Sequence, residues 1–186
     1  MYTESALPDQ ERMAKYRILA AAYTYPGEEF KSVFSGSAPP VEEMQRAYDT
    51  LFREKELWLY GAEYTTNSGF QRSTALADIM GFYSAFGVQP DKDRPDALTM
   101  ELEFMYYLIF KTQKALKEED RAASAEHAAV CRDAQKKFFS EYLYPAATQI
   151  AQVIIDKAAD TFYTEASQEL LEFMEQERKY FEGTAQ

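Results

Sequence analysis

Two carboxylates, Glu101 and Glu103, stand in the most apolar stretch of the chain, each with Met, Leu, Tyr or Phe at its helical neighbours. A carboxylate on such a surface is costly to desolvate and needs a partner. That partner is either a Lys, Arg or Tyr of an adjacent helix or an arginine or lysine of a bound peptide, a contact that partial desolvation strengthens. Asp96 follows Pro95 directly before the same stretch, where its carboxylate is placed to accept the free N–H groups of a new helix and, as a cap, still to touch a ligand. Trp58, Tyr60, Tyr64 and Tyr83 have the side chains for an aromatic groove, with core packing as the alternative for aromatics at helical spacing. These residues suit binding rather than bond-breaking.

Catalytic and metal chemistry lack their usual side chains. The chain has one His and one Cys against 14 Tyr, 13 Phe and 1 Trp. A di-iron helical bundle needs two Glu-x-x-His pairs, whereas the residue three places before His127 is Ser124. His127 and Cys131 lie four apart, but two ligands do not make a zinc site, so Cys131 is expected as a small core residue and His127 at the surface. No Gly-x-Gly-x-x-Gly, Gly-x4-Gly-Lys-Ser/Thr or Gly-x-Ser-x-Gly pattern occurs, which leaves phosphate loops and hydrolase elbows unsupported. No enzymatic activity, metal or cofactor is expected.

Charge narrows the partners. With 20 Lys+Arg against 31 Asp+Glu the chain carries −11, which repels nucleic acid and anionic lipid and favours a cationic partner. The longest uncharged run, Tyr142 to Ile155, is 14 residues with Pro145 inside it, short of the roughly 18 a spanning helix needs. Glu4 and Asp9 stand where a secretory signal would be basic and then apolar, and a lone Cys forms no internal disulfide, so a cytoplasmic protein is expected.

The elements that must position the candidate residues read as helices. At 186 residues, 46% hydrophobic, with 7 Gly and 7 Pro, the chain has a core's worth of apolar side chains and little turn chemistry, which disfavours a sandwich or barrel. Met13, Tyr16, Leu19, Ala20 and Tyr23 recur at helical steps until Tyr25-Pro26-Gly27 breaks the pattern. After the Gly/Ser/Pro stretch Ser35 to Pro40, Val41, Met44, Tyr48 and Leu51 predict a second helix, and Leu57-Trp58-Leu59-Tyr60 the start of a third. Residues 65–74 are small and polar; Leu76, Ile79, Met80, Tyr83 and Phe86 then line one face up to Gly87, a helix-ending residue, before the charged loop Asp91-Lys92-Asp93-Arg94-Pro95.

A helix from about Leu98 to Lys117 has no polar face, as expected of one surrounded by others. Ala128, Cys131, Ala134 and Phe138 mark another, interrupted at Tyr144-Pro145 because proline pushes its predecessor out of the helical region. Ile150, Val153 and Ile154 mark the next, and Phe162, Tyr163, Ala166, Leu170, Phe173 and Met174 the last. The prediction is all-α: a single-domain helical bundle, residues 1–186, around a buried central helix.

The stretch Leu76-Ala77-Asp78-Ile79-Met80-Gly81-Phe82-Tyr83-Ser84-Ala85-Phe86-Gly87, then Arg94-Pro95-Asp96 and Glu101-Leu102-Glu103-Phe104-Met105, resembles the core signature of the TorD/DmsD/NarJ family, the redox-enzyme maturation chaperones of molybdenum oxidoreductases. Arg17-Ile18-Leu19-Ala20 through Tyr25-Pro26 resembles the family's opening helix, Glu63-Tyr64-Thr65 its mid-chain acidic-aromatic step, and Phe162-Tyr163 to Phe173 its closing helix. The likeness runs from about Glu11 to Phe181. Where the family's loop commonly reads Pro-Asp-His this chain has Pro95-Asp96-Ala97, so Asp96 matches and Ala97 does not, and the segment from Asn67 to Thr74 is shorter and plainer than its counterpart.

The resemblance implies an all-helical cytoplasmic chaperone that binds the N-terminal region, often a twin-arginine signal, of an apo-molybdenum oxidoreductase subunit. It would hold that subunit back until the cofactor is inserted and then release it for export or assembly. The peptide would lay apolar residues on Trp58, Tyr64 and Tyr83 while its arginines met Asp96, Glu101 or Glu103. Two alternatives stay open: a helical module holding a small ligand in an aromatic-lined cavity, and an assembly subunit retained in a membrane-bound oxidoreductase. A homodimer exchanging C-terminal helices about Tyr144-Pro145 is a further option.

Overall fold

Proline and glycine punctuate the helices. The computed structural model describes residues 7–183 except 37, 38, 56, 91–93, 118–120, 159 and 160. Pro8 precedes α1 (Asp9–Tyr23), which ends where Thr24 turns extended ahead of Pro26. Pro40 precedes α3 (Val41–Tyr48), which continues into a π-helical turn, Asp49–Glu54. Gly87 adopts φ +74° after α5 (Gly69–Ala85), a conformation that favours glycine.

The remaining helices are α2 (Glu28–Phe34), α4 (Ala62–Thr65), α6 (Leu98–Ala115), α7 (Arg121–Phe138), α8 (Tyr144–Lys157) and α9 (Phe162–Gly183). Helix α6 packs against α1 on one side and α7 on the other, α8 lies along α9, and α9 closes back on α1. One apolar core, from Tyr16 and Leu19 through Leu102, Met105 and Phe138 to Leu170 and Phe173, runs through all of them. The fold is all-α, as its periodicity predicts. Among the described residues no helix is long and apolar enough to cross a membrane.

Helix α6 is central but not enclosed all round: Leu98, Leu102, Met105, Leu108 and Ile109 are fully buried, while Glu103, Phe110 and Lys114 form an edge open to solvent. Buried polar groups tie the bundle's ends. Arg12 of α1 donates from Nε and Nη2 to the two oxygens of Glu177 on α9, at 2.7 and 2.8 Å, and Tyr16 adds a third bond to the same carboxylate at 2.7 Å. Ser124 of α7 donates to the Ala115 carbonyl at 2.8 Å, satisfying an acceptor at the C-terminus of α6.

Several expectations need correction. Leu57–Tyr60 does not begin a helix: the segment is extended, and Tyr60 bridges antiparallel to Ala97. The seven-residue α2 leaves too short a trace for periodicity to reveal. Helix α5 starts at Gly69, inside the polar stretch, because Ser68 caps it by accepting the Gln71 N–H; within it Met80 faces solvent. Tyr144-Pro145 does not interrupt the chain's helical course, since Leu143 and Tyr144 keep right-handed helical angles and a π-helical turn, Phe139–Leu143, joins α7 to α8. Pro145 falls in the first turn of α8, where its missing N–H leaves no bond unmade. Ser37 and Ala38 of the expected Gly/Ser/Pro stretch and Asp91–Asp93 of the expected charged loop lie outside the described residues.

Candidate functional site

Alternation explains the extended segment. Leu57 and Leu59 are buried, whereas Trp58 and Tyr60 point outward, the period of two that belongs to a strand. The backbone completes the pairing: Gly61 N–H donates to the Asp96 carbonyl and Leu98 N–H to the Leu59 carbonyl, both at 2.9 Å. This short ladder brings the aromatic residues of the first segment beside the Arg94-Pro95-Asp96 turn that leads into α6.

Asp96 is 1% exposed, and it does not cap α6. The cap position is Ala97, with no side-chain bond, while Asp96 Oδ2 accepts the Ala62 N–H at 2.9 Å. The acid therefore caps α4, a helix more than 30 residues earlier in the sequence, because the ladder carries the start of α4 onto it. Arg94 donates to both Asp96 oxygens, at 3.0 and 3.1 Å, and to Glu63 Oε1 at 3.0 Å. Its guanidinium lies 3.9 Å from the centre of the Tyr60 ring, and Glu63 Oε2 receives Arg72 at 2.7 Å. Two arginines and two carboxylates thus form one connected group against an aromatic face.

Trp58 is 42% exposed and stacks on Tyr60 at 6.2 Å between ring centres. The Tyr64 phenol is engaged by the Trp58 backbone, and burial still raises its pKa. Tyr83 is not at this surface: it is fully buried, packs edge-on to Phe104 at 4.8 Å and donates to the Pro95 carbonyl at 2.8 Å. The four-aromatic groove expected from Trp58, Tyr60, Tyr64 and Tyr83 is thus a surface cluster of three, with Tyr83 supporting the turn from below. Phe70, absent from the sequence-derived set, is 81% exposed on the first turn of α5.

The two glutamates separate. Glu103 is exposed and faces a cleft shared with Arg17, Ala20, Glu29 and Tyr106, next to α1. Glu101, two residues earlier and so on another side of α6, is 1% exposed. Its Oε2 has no hydrogen-bond partner, and no described Lys, Arg or Tyr pairs with it, contrary to the expected structural pairing. Burial first, then the nearby Asp96, pushes its pKa well above the usual carboxylate range. Glu101 lines a cavity of about 160 Å³ together with Gly61, Ala62, Thr65, Thr66, Ala75, Ile79, Glu141, Tyr142 and Ala146.

Of the expected site residues, Asp96 and Glu101 both approach the Gly61–Ala62 backbone, and Tyr64 bonds the Trp58 backbone just before it. Residue type and spacing assign no role to Arg94, Arg72 or Glu141, nor to Gly61. The signal for Arg94 is its place two residues before Asp96 in the motif; Gly61 and Glu141 carry no local signal, since only the approach of α4 to α8 brings them to one cavity. As expected, His127 is exposed and Cys131 buried; among the described residues no group of three or more His, Cys, Asp or Glu could hold a metal ion.

With this geometry in place, comparison with known proteins gives one positive finding. The sequence model of the family described as nitrate reductase delta subunit matches residues 17–152, more than half of the chain and within the longer stretch, about 11–181, of the resemblance noted above. The match covers every residue of the group around Asp96 and Glu101. No curated protein matches the chain.

Proposed function

Because the chain belongs to the nitrate reductase delta subunit family, we propose that it is a maturation chaperone that binds the N-terminal region of an immature molybdenum oxidoreductase subunit in the cytoplasm and supports cofactor insertion before export or assembly. Its role is to hold a polypeptide, not to transform a substrate. The observation that carries the reading is that Arg94, forked onto Asp96, lies against the Tyr60 ring of the exposed Trp58–Tyr60 stack, with Glu101 close to the same Gly61 backbone.

A basic-apolar segment has what this surface lacks. Its apolar residues cover Trp58, Tyr60 and Tyr64, and its arginines or lysines approach a carboxylate group set in a chain of net charge −11. Asp96 and Glu101 are acidic groups of the binding region; Tyr83 holds the Pro95 turn in position, and Glu103, on a different side of α6, lies outside it. A twin-arginine signal fits this charge pattern.

Calorimetric titration of the full chain with N-terminal peptides of immature molybdenum oxidoreductase subunits tests the reading. Binding is expected to weaken with added salt and by about tenfold or more when the peptide's arginines become glutamine, about 1.4 kcal/mol. Failure to bind any immature molybdenum subunit, or stable co-purification inside the mature enzyme, overturns it, and a stoichiometric small molecule in native mass spectra turns the assignment toward a ligand-holding module.

A further inference from the structure

A buried carboxylate without a partner is costly, and among the described residues no cation pairs with Glu101. Arg94 is engaged by Asp96 and Glu63, and Arg72 by Glu63. The cavity that Glu101 lines is rich in acceptors, and its side-chain donors are already committed. Thr65 and Thr66 donate their hydroxyls to the carbonyls of Gly61 and Ala62, at 3.0 and 2.7 Å. The Tyr142 phenol is engaged by Glu141. Remaining side-chain walls are apolar: Ala62, Ala75, Ile79 and Ala146.

Space and access agree with this chemistry. At about 160 Å³ the cavity falls below the roughly 300–1,000 Å³ of small-molecule sites. It would hold about five waters at ~30 Å³ each, which is the scale of one side-chain head with part of its stem. Only glycine, here Gly61, fits where the cavity meets the carboxylate. A Cβ there would sit 2.7 Å from the Ala146 Cβ and 3.7 Å from Glu101 Oε1. Thr65 and Glu141, also in the lining, are exposed, so the cavity reaches the surface between α4 and the π-helical turn.

We propose that this cavity is a receptor for a single cationic head group on a flexible stem, a guanidinium or an ammonium, with Glu101 at its floor and Glu141 at its mouth. The group comes from a basic residue of the client's N-terminal segment, and this second half rests on the chaperone reading above. The titratable groups facing Glu101 are Asp96 before α6, Tyr83 of α5, and Glu141 and Tyr142 of the π-helical turn; α4 and α8 contribute only Gly61, Ala62, Thr65, Thr66 and Ala146. None of these is a cation. Burial and the neighbouring Asp96 favour the protonated form of Glu101, whereas a cation in the cavity favours the carboxylate, so affinity rises with pH.

The test uses the full chain and three probes: n-propylguanidinium, n-propylammonium and neutral n-propylurea, each followed by NMR shifts of the Ala62 and Thr66 amides. At least one cation is expected to bind saturably, more tightly as pH rises, while the urea leaves both amides unmoved. Glu101→Gln, which keeps the shape and the neutral state, is expected to weaken cation binding about tenfold or more. Ala75→Trp, which fills the cavity from α5 and leaves Glu101 in the chain, gives the same loss by a second route. Equal behaviour of all three probes, or cation binding to Glu101→Gln like that to the unaltered chain, overturns the proposal. Whichever ion binds more tightly identifies arginine or lysine as the client residue.

Competition separates the two halves. If the client peptide displaces the bound ion, both stand. If ion and peptide bind together without competing, the client assignment falls and the cation receptor remains. If the peptide binds but no ion does, the receptor falls and the chaperone reading is untouched.

Discussion

Arg94 grips both oxygens of Asp96, at 3.0 and 3.1 Å, two residues away on its own chain. The acid of the family motif is therefore already partnered from within, and a client arginine that reaches it must compete with Arg94. Replacing Arg94 by Gln removes the competitor. The arginine is about a third exposed but Asp96 is buried, so the stability loss is expected at about 1–3 kcal/mol, while affinity for a basic client peptide rises several-fold. Urea unfolding and peptide calorimetry on the same preparation measure both; weaker peptide binding by Arg94→Gln would show that the fork builds the site instead of competing for it.

The pair Arg12 and Glu177 joins α1 to α9 with both side chains almost fully buried. Glu177→Gln leaves a buried guanidinium with its partner neutralised, and Glu177→Leu leaves it with no acceptor there. The second change is expected to lower stability by about 3–5 kcal/mol. Combining it with Arg12→Met removes the stranded charge and should recover most of that loss. A double-mutant cycle in urea reads the coupling, and additive losses would contradict it.

Stability should fall as pH rises above the unfolded-state value for glutamate, about 4.3, because of Glu101. Its folded pKa is raised by burial and by Asp96, so between the two values the native state holds a proton that the unfolded chain has released. Native stability is then lost with increasing pH, at up to about 1.4 kcal/mol per pH unit from this group. Glu101→Gln carries no such slope. Its stability relative to the unaltered chain should climb between pH 5 and pH 7, and parallel pH–stability curves for the two proteins would exclude the ionisable burial described here.

Trp58 and Tyr83 should part company when mutated. Trp58→Ala removes a half-exposed ring from the Trp58–Tyr60 stack and is expected to lower client-peptide affinity with a stability change within about 0.5 kcal/mol. Tyr83→Phe deletes one buried hydrogen bond to the Pro95 carbonyl and strands that acceptor, a loss of about 1–3 kcal/mol, with peptide affinity changed much less. Thermal melts and peptide titrations on both variants check the contrast.

Helical periodicity was legible because each long helix buries one face, and burial writes itself into the spacing of apolar residues. Met13 to Tyr23, Leu98 to Ala115 and Phe162 to Met174 are helices for that reason. The Leu57–Tyr60 segment misled because four consecutive large apolar residues fit a helix or a strand equally; the decision fell to its partner, the Asp96–Leu98 backbone. Tyr144-Pro145 misled because a proline in the first turn looks the same in sequence as one that ends a helix.

Residue types alone determined that this is an acidic, helix-forming chain with an aromatic surplus, and that Asp96 and Glu101 would need partners, since the cost of burying a carboxylate belongs to the side chain itself. Which partner each received was decided only by the folded chain. Asp96 met the Ala62 N–H and Arg94 because the Leu57–Gly61 segment pairs with the turn before α6. Glu101 met no cation because α6 turns it toward Gly61 and Ala146 instead. Apart from the Arg94–Asp96 fork, these contacts join residues tens of positions apart, and local spacing holds no record of them.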